Sequence, residues 1–563
     1  MAFVRLFFVA LAAVLLGLGL TASPLLSNLP QAASSRSALA ASPSAPAPLF
    51  SDLGDFHYPI STRSDLAQQY FDQGWVLAYG FNHAEAVRSF LAAIEADPDC
   101  ALCYFGLAYV LGPNINAPME IEAAETAWET MQHAIALSPA ASAKERALVN
   151  ALATRYTAAP TANRASLDRA YAAALKTVHQ QYPEDLEIAT LYAEALMNTM
   201  PWDYWDEAGN PKPTTREILK TLEAVLEQNP DQIGALHLYI HAVEKERPEL
   251  AEAAADRLGA LVPGSGHLVH MPSHIYIRVG RYHDAVVANQ DAIAADAAYL
   301  KISPTPSLYT VAYMPHNHHF AWFGAMMTGQ RAVAMAAAEQ TARVEGELWH
   351  APELAGSLQH YYSVPLYTQV RFSQWNEILK TPAPAAELKY PVGVWHYAQG
   401  MALAATDRPR AAADHLRSLQ ALIADPEIGE MRIWGFNSTR QALGIAEAVL
   451  AGEIAAARGN YDRAVAYLQS AVAQEDELTY TEPPDWYAPT RNLLGQVLLA
   501  AGRYADAESA FQADLENYPQ NGWSLQGLAQ SLRAQNKLLE ADSVQAQFEA
   551  AWQYADITLP ISG

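Results

Sequence analysis

A chain of 563 residues exceeds what one small core organises, so several domains or one extended repeat array are expected. About half of it is apolar, with abundant Ala and no long β-branched run, which predicts helix and argues against extensive sheet. A formal net charge of −25 leaves no basic face large enough to neutralise phosphates, which argues against a general nucleic-acid-binding role.

At the amino terminus, Arg5 precedes an apolar run from Leu6 to Leu20 and the small residues Thr21, Ala22 and Ser23. Length and flanks fit a secretory signal peptide over residues 1–22 better than a permanent span. A retained amino-terminal segment is the one expected membrane link, since no later stretch is apolar for long enough to cross a bilayer. The Ala/Ser/Pro-rich stretch that follows is expected to be a disordered linker, residues 23–60. The working protein is therefore expected to be exported, periplasmic or extracellular. Cys100 and Cys103 are its two cysteines; in an exported chain they form a local disulfide or stay as small core residues, with a redox dithiol or metal pair as the alternatives. Tyr104 after Cys103 argues against covalent haem attachment.

An internal repeat follows. Gly74, Ala86, Phe90 and Pro98, with Ala93 a further small place, recur as Gly495, Ala507, Phe511 and Pro519, with Gly502 and Tyr504 at the intervening turn. Gly459, Tyr461, Ala464 and Ala471 repeat part of the pattern, as do Gly280, Tyr282, Ala285 and Ala292. Small residues let paired helices approach, an aromatic fills the gap, and proline closes the second helix. On these places the chain resembles a tetratricopeptide-repeat protein, and its 230–296 segment resembles exported bacterial repeat proteins with a His-rich central region. The resemblance implies an all-α, TPR-like α-solenoid of stacked antiparallel helix pairs: N-terminal repeats over 61–230, central His-rich repeats over 231–400 and C-terminal repeats over 401–563. Met200–Pro213 and Tyr299–Thr310 read as a loop and an insertion.

The repeat register places the histidines. With Gly280 at the turn between the paired helices, His267, His270 and His274 take the second, fifth and ninth places of the first helix, on one face. In the preceding unit His237 and His241 fall fifth and ninth, with Glu244 twelfth. His237 to His270 and His241 to His274 each span 33 residues, close to the roughly 34-residue period, so each pair is expected side by side. Glu194 is expected beside His241, and His316 and His319 take second and fifth places downstream; His360 and His396 also come out fifth. In the family these places line the concave groove. His83 and His283, at turns, read as solvent-facing.

Imidazoles with nearby carboxylates are the ligand set of Cu, Zn or Fe rather than Ca²⁺ or Mg²⁺. The candidate metal residues are His237, His241, His267, His270, His274, Glu194, Glu244, His316 and His319. The bland alternatives are imidazoles bonded to one another in a tight interior, or a polar lining that grips a peptide or small molecule. Tyr239, Tyr276, Trp322 and Trp349 could shape a pocket, although helical spacing favours core. Ser273 falls at a small helix-packing place rather than a nucleophile's. "PWDYWDEAGNP" reads as a loop with its own aromatic cluster, or as a lid. No phosphate loop, H-E-x-x-H helix or G-x-S-x-G elbow is present. The function expected is an exported scaffold whose groove binds a transition metal, a protein or peptide partner, or a small-molecule ligand. A metal-dependent hydrolase or oxidoreductase and a metal-free interaction scaffold are the competing classes.

Overall fold

The computed structural model describes residues 47–159, 162–304, 307–343 and 354–559; the expected signal peptide, the linker before residue 47, and Trp349 lie outside them. In chain order the helices begin with α1 (Asp65–Tyr79), α2 (His83–Ala96), α3 (Ala101–Val110), α4 (Ala123–Leu137), α5 (Ala143–Ala153), α6 (Arg164–Gln181) and α7 (Leu186–Asn198). They continue with α8 (Pro213–Gln228), α9 (Ile233–Val243), α10 (Glu252–Leu261), α11 (Gly266–His270), α12 (Pro272–Val279), α13 (Tyr282–Ile302) and α14 (Met314–Met327). Next come α15 (Arg331–Thr341), α16 (Ala355–Arg371), α17 (Trp375–Ile378), α18 (Lys389–Ala405), α19 (Pro409–Ile423) and α20 (Pro426–Glu430). Two short antiparallel strands, β1 (Arg432–Ile433) and β2 (Asn437–Ser438), precede α21 (Thr439–Ala457), α22 (Tyr461–Asp476), α23 (Thr490–Ala500), α24 (Tyr504–Asn517), α25 (Gly522–Ala534) and α26 (Leu538–Ala551).

The chain divides into two compact units. The first holds the described residues up to Ile275 together with Asp291–Met314; the second holds Tyr276–Gln290 and the chain from Pro315 onward.

Packing within each unit follows the repeat. In the first, a Cβ added to Gly74 of α1 would lie 2.9 Å from the Phe90 ring, and one on Gly106 of α3 only 2.3 Å from it. Phe90, on α2, thus wedges between the first helix of its own pair and that of the next. In the second unit Phe511 of α24 does the same, with a Cβ on Gly495 at 2.5 Å and on Gly527 at 2.2 Å. Ala86, Ala93, Ala464, Ala471, Ala507, Ala285 and Ala292 are all fully buried, as the small places require. The expected gap-filling aromatic is Phe90 or Phe511; Tyr461 and Tyr504, at the turn, are more than a third exposed. The fold is therefore an all-α, tetratricopeptide-type array of antiparallel helix pairs.

Its paired helices are joined by one recurrent turn. Asn82 N–H donates to the Leu77 carbonyl five residues back, and Phe81 between them has φ of 52°. The same bond closes the turns at Gly280, Gly329, Ser373, Asp407, Gly459, Gly502 and Asn536, each with positive φ. This is the Schellman ending, whose left-handed residue is ordinarily Gly or Asn. Phe81 is the bulky exception.

Two expectations change or are decided. The stretch expected as linker up to residue 60 is held from residue 47 onward: Tyr70 donates to the Ala47 carbonyl at 2.8 Å, Gln73 accepts from Phe50 N–H at 2.8 Å, and the Tyr58 ring is buried. Apolar contact and side-chain bonds to α1 outweigh its loop-like composition. Cys100 and Cys103 form a disulfide at the start of α3, with both sulfurs' residues fully buried against Ala67 and Ala93. Among the described residues, no helix is long and apolar enough to cross a membrane.

Candidate metal centre

Two helices of the first unit carry the central histidines. Gln232 caps α9 by accepting from Ala235 N–H, and its amide donates to Glu187 at 2.9 Å. Glu187 also accepts from the Trp75 indole and the Tyr79 hydroxyl, and burial raises its carboxyl above the ordinary range. Gly234 lets Tyr79 press on α9, since a Cβ there would lie 2.4 Å from the ring. At α11, Gly266 makes room for Asp296, whose Oδ1 would sit 2.0 Å from an added Cβ. Tyr309 donates to that carboxylate at 2.8 Å and accepts from His267 N–H at 2.9 Å. A carboxylate at a helix start is the favourable sign.

These supports bring three imidazoles together. One ligand nitrogen each from His237, His241 and His267 lies within 4.8 Å of the others, and the three residues are at most 3% exposed. His237 Nε2 and His267 Nε2 are 3.2 Å apart. A neutral imidazole has one donor and one acceptor nitrogen, so this pair occupies one nitrogen of each ring. His237 Nδ1 is buried and makes no hydrogen bond of ordinary geometry. Burial first, with nearby His270 adding, drives the His237 pKa down to about 3; the Tyr79 backbone opposes the shift. The ring therefore stays neutral, which a metal ligand requires.

Behind this trio stands Glu244. Its Oε2 is 3.2 Å from His241 Nδ1 and 3.4 Å from His274 Nδ1. His274 Nε2 is in turn 3.0 Å from His270 Nε2, and Ser273 Oγ donates to the His270 carbonyl at 2.7 Å. Aromatic rings enclose the trio. Phe81 has its ring centroid 4.7 Å from His237, 5.2 Å from His267 and 6.1 Å from His241; Tyr313 is 5.0 Å from His267. The half-buried Trp202 meets His241 edge-on at 5.2 Å and has φ of 60°, a second bulky residue in the left-handed region. Such strain persists only where surrounding contacts over-determine it.

The register carried part of this arrangement. His241 lies beside His274 as expected, with ring centroids 5.6 Å apart. The direct partner of His237 is His267 rather than the expected His270. Helices that cross at an angle stay in register at one place only, so the fifth place of one meets the second place of the next. Pro272 also ends α11 and starts α12, so His270 and His274 sit on two short helices rather than on one continuous face. Glu194 does not join the trio: its carboxylate accepts from the Tyr109 hydroxyl and from Asn198 at 3.3 Å, and burial raises its pKa.

His316 and His319 belong to the second unit. There His319 is buried, stacked on Trp322 at 4.9 Å, with His360 at 5.9 Å and Tyr361 at 5.1 Å; His316 packs on Phe320. His360 bonds Tyr390 at 3.1 Å, while His396 faces His415 at 3.0 Å and not His360. The two histidines expected in solvent are packed: His83 lies 3.3 Å from Asn114 Nδ2, and the His283 ring stacks on Tyr554 at 3.4 Å. Tyr239 and Trp322 are core, their polar tips bonded to Glu223 and Thr368. The loop after Met200 packs its own aromatics, Trp205 donating to the Ala242 carbonyl at 2.9 Å, and also places Trp202 over the site.

Phe81 and Tyr313 were not singled out by sequence reasoning. For Phe81 a signal was present: "GFNHAEA" puts phenylalanine where "GRYHDA" and "GRYADA" have the turn glycine.

No protein-family model and no curated protein matches the chain. Among solved structures it is similar to the human IFIT1 dimer with m7Gppp-AAAA, at 10% identity and a TM-score of 0.28, covering 87% of this chain and 91% of that one. Yeast Tom70 is similar at 11% identity and 0.28, covering 85% and 96%. The APC/C hetero-tetramer Cut9–Hcn1 follows at 12% and 0.28, covering 84% and 78%. At these scores the likeness carries nothing about ligands or partners.

Proposed function

We propose that this protein is an exported repeat scaffold that holds a transition metal through His237, His241 and His267. The observation that carries the reading is three buried imidazole nitrogens within 4.8 Å of one another. A tight bonded interior is the competing account: His267 faces His237 Nε2 and the Tyr79 backbone faces Nδ1, and metal analysis separates the two readings. Glu244 on His241 Nδ1 is the carboxylate–imidazole arrangement that orients a ligating ring and makes Nε2 its ligand atom. All-nitrogen ligation fits Zn, Cu or Fe, and three protein ligands leave a coordination position for a small molecule or a partner's side chain. Export rests on the apolar run after Arg5, and partner binding on the repeat architecture.

Metal analysis of untagged protein tests this, alongside a His237→Ala/His241→Ala double variant. Stoichiometric Zn, Cu or Fe in the parent, lost in the variant while the helical circular dichroism is kept, is the expected result. No metal in either preparation and no uptake on titration with Zn²⁺ or Cu²⁺ overturns the reading and leaves a metal-free scaffold. Turnover that depends on the metal would move it to the enzyme class.

A further inference from the structure

The second unit contains a separate cavity of about 130 Å³, bordered by Arg278 and by the loop that joins α22 to α23. A buried water occupies roughly 10–15 Å³ on the same scale, so this volume suits a molecule of a few heavy atoms rather than a single solvent. Its walls are sorted by chemistry. Glu475, Glu482 and Asp485 line it, and Glu482 is held by the Tyr480 hydroxyl. Asp485 accepts from Asn437 at 2.7 Å, and Glu475 accepts from Thr490 N–H at 2.8 Å. The same cavity holds two groups that only donate, one cationic and one neutral. The Arg278 guanidinium lies over the Tyr480 ring at 5.3 Å, with Nε 4.0 Å from Glu482. Trp486 is 1% exposed, and its indole N–H has no acceptor among the described residues.

An unpaired indole N–H costs desolvation energy unless an acceptor reaches it, and a carboxylate oxygen of a molecule in the cavity would supply one. The three carboxyls are raised by burial, Glu482 furthest, to about 8, so each becomes a charged acceptor only where a cation reaches it, and a ligand ammonium would supply that cation. We propose that this cavity binds a small zwitterionic amino acid, its carboxylate against Arg278 and Trp486 and its ammonium against the Asp485 side. Burial pushes Glu475 and Asp485 up to about 7, and an arriving ammonium offsets that penalty on the charged carboxylates. The site shares no residue with the imidazole trio.

The test is calorimetric titration of the full chain with the common L-amino acids, with ethanolamine and acetate as half-ligands. Two variants are compared: Trp486→Phe, which keeps the ring and deletes the donor, and Asp485→Asn, which keeps the shape and deletes the charge. At least one small amino acid is expected to bind, with each half-ligand and each variant weaker by about tenfold or more, the scale of one charge-assisted hydrogen bond. Metal content is expected to be unchanged in both variants. Failure of every amino acid to bind overturns the proposal, as does equal binding by the parent and Trp486→Phe, or by ethanolamine and the amino acid.

Discussion

Replacing Phe81 by glycine sets two opposing effects against each other. The left-handed conformation costs a non-glycine residue about 1–2 kcal/mol, so Phe81→Gly removes strain at φ of 52°. Glycine gives back about 0.5–1 kcal/mol through its looser unfolded chain. The ring is only 7% exposed and is packed on His237, His267 and Tyr313, and deleting such a phenylalanine costs about 3–5 kcal/mol. Burial wins, and the variant is expected to be destabilised by about 2–4 kcal/mol. The control is Asp407→Gly, at a turn with the same bond and φ of 57° but an exposed side chain. No packing is lost there, so the change lies between neutral and about 1 kcal/mol stabilising. Differential scanning calorimetry of chelator-treated protein reads both without a metal contribution. At about 2–4 °C per kcal/mol for domains of this size, Phe81→Gly lowers its transition by roughly 5–15 °C while Asp407→Gly leaves its own unchanged or slightly raised. Shifts of the same sign, or an unmoved Phe81→Gly transition, would refute the claim that ring burial holds this strained turn.

Three further outcomes are expected. Gly106→Ala should destabilise by about 1–3 kcal/mol in urea melts, because its Cβ would meet the Phe90 ring at 2.3 Å, whereas Gly502→Ala, with open space but φ of 71°, should lose only about 1 kcal/mol. Burial raises the fully buried Asp514 to about 6. The folded chain then binds a proton the unfolded chain has released, so this group's stabilising contribution is complete below pH about 4 and falls as pH rises through about 6. Asp514→Asn should therefore gain stability relative to its parent between those values, on the order of 3 kcal/mol, and a pH-independent difference in urea melts would count against it. Cu²⁺ titration should quench tryptophan fluorescence mainly through Trp202, 5.2 Å from His241, and Trp202→Phe should abolish most of that quenching.

What the sequence made legible is what neighbouring helices dictate. Gly74 with Phe90, and Gly495 with Phe511, announce the paired helices because each aromatic needs a glycine across from it at close range. His237 and His241 could be placed fifth and ninth in α9 because that count rests on a local signal, Pro230, and the structure starts the helix just beyond it, after the Gln232 cap. The contacts between successive pairs were less legible. Whether His237 meets His267 or His270 depends on a crossing angle summed over many side chains, and on the break at Pro272. The cavity beside Trp486 was invisible for the same reason, since its loop carries no repeat signal and its partner Arg278 is far away in sequence.

The turns bring these two kinds of information together. Among the described residues, seven of the eight equivalent turns have a small or short polar residue at the left-handed place, Gly, Asp or Asn in all but the turn at Ser373. At the eighth, local preference is overridden by a phenylalanine whose ring reaches the three imidazoles. Trp202 shows the same exchange from a different loop. Two bulky residues in the disfavoured backbone region on one small cluster mean that the cluster's enclosure, and not the turn, sets the side chain. Trp434, with φ of 50° and its ring on Tyr361, follows the same rule elsewhere, so enclosure of this kind is what the proposed metal site would use and not its proof.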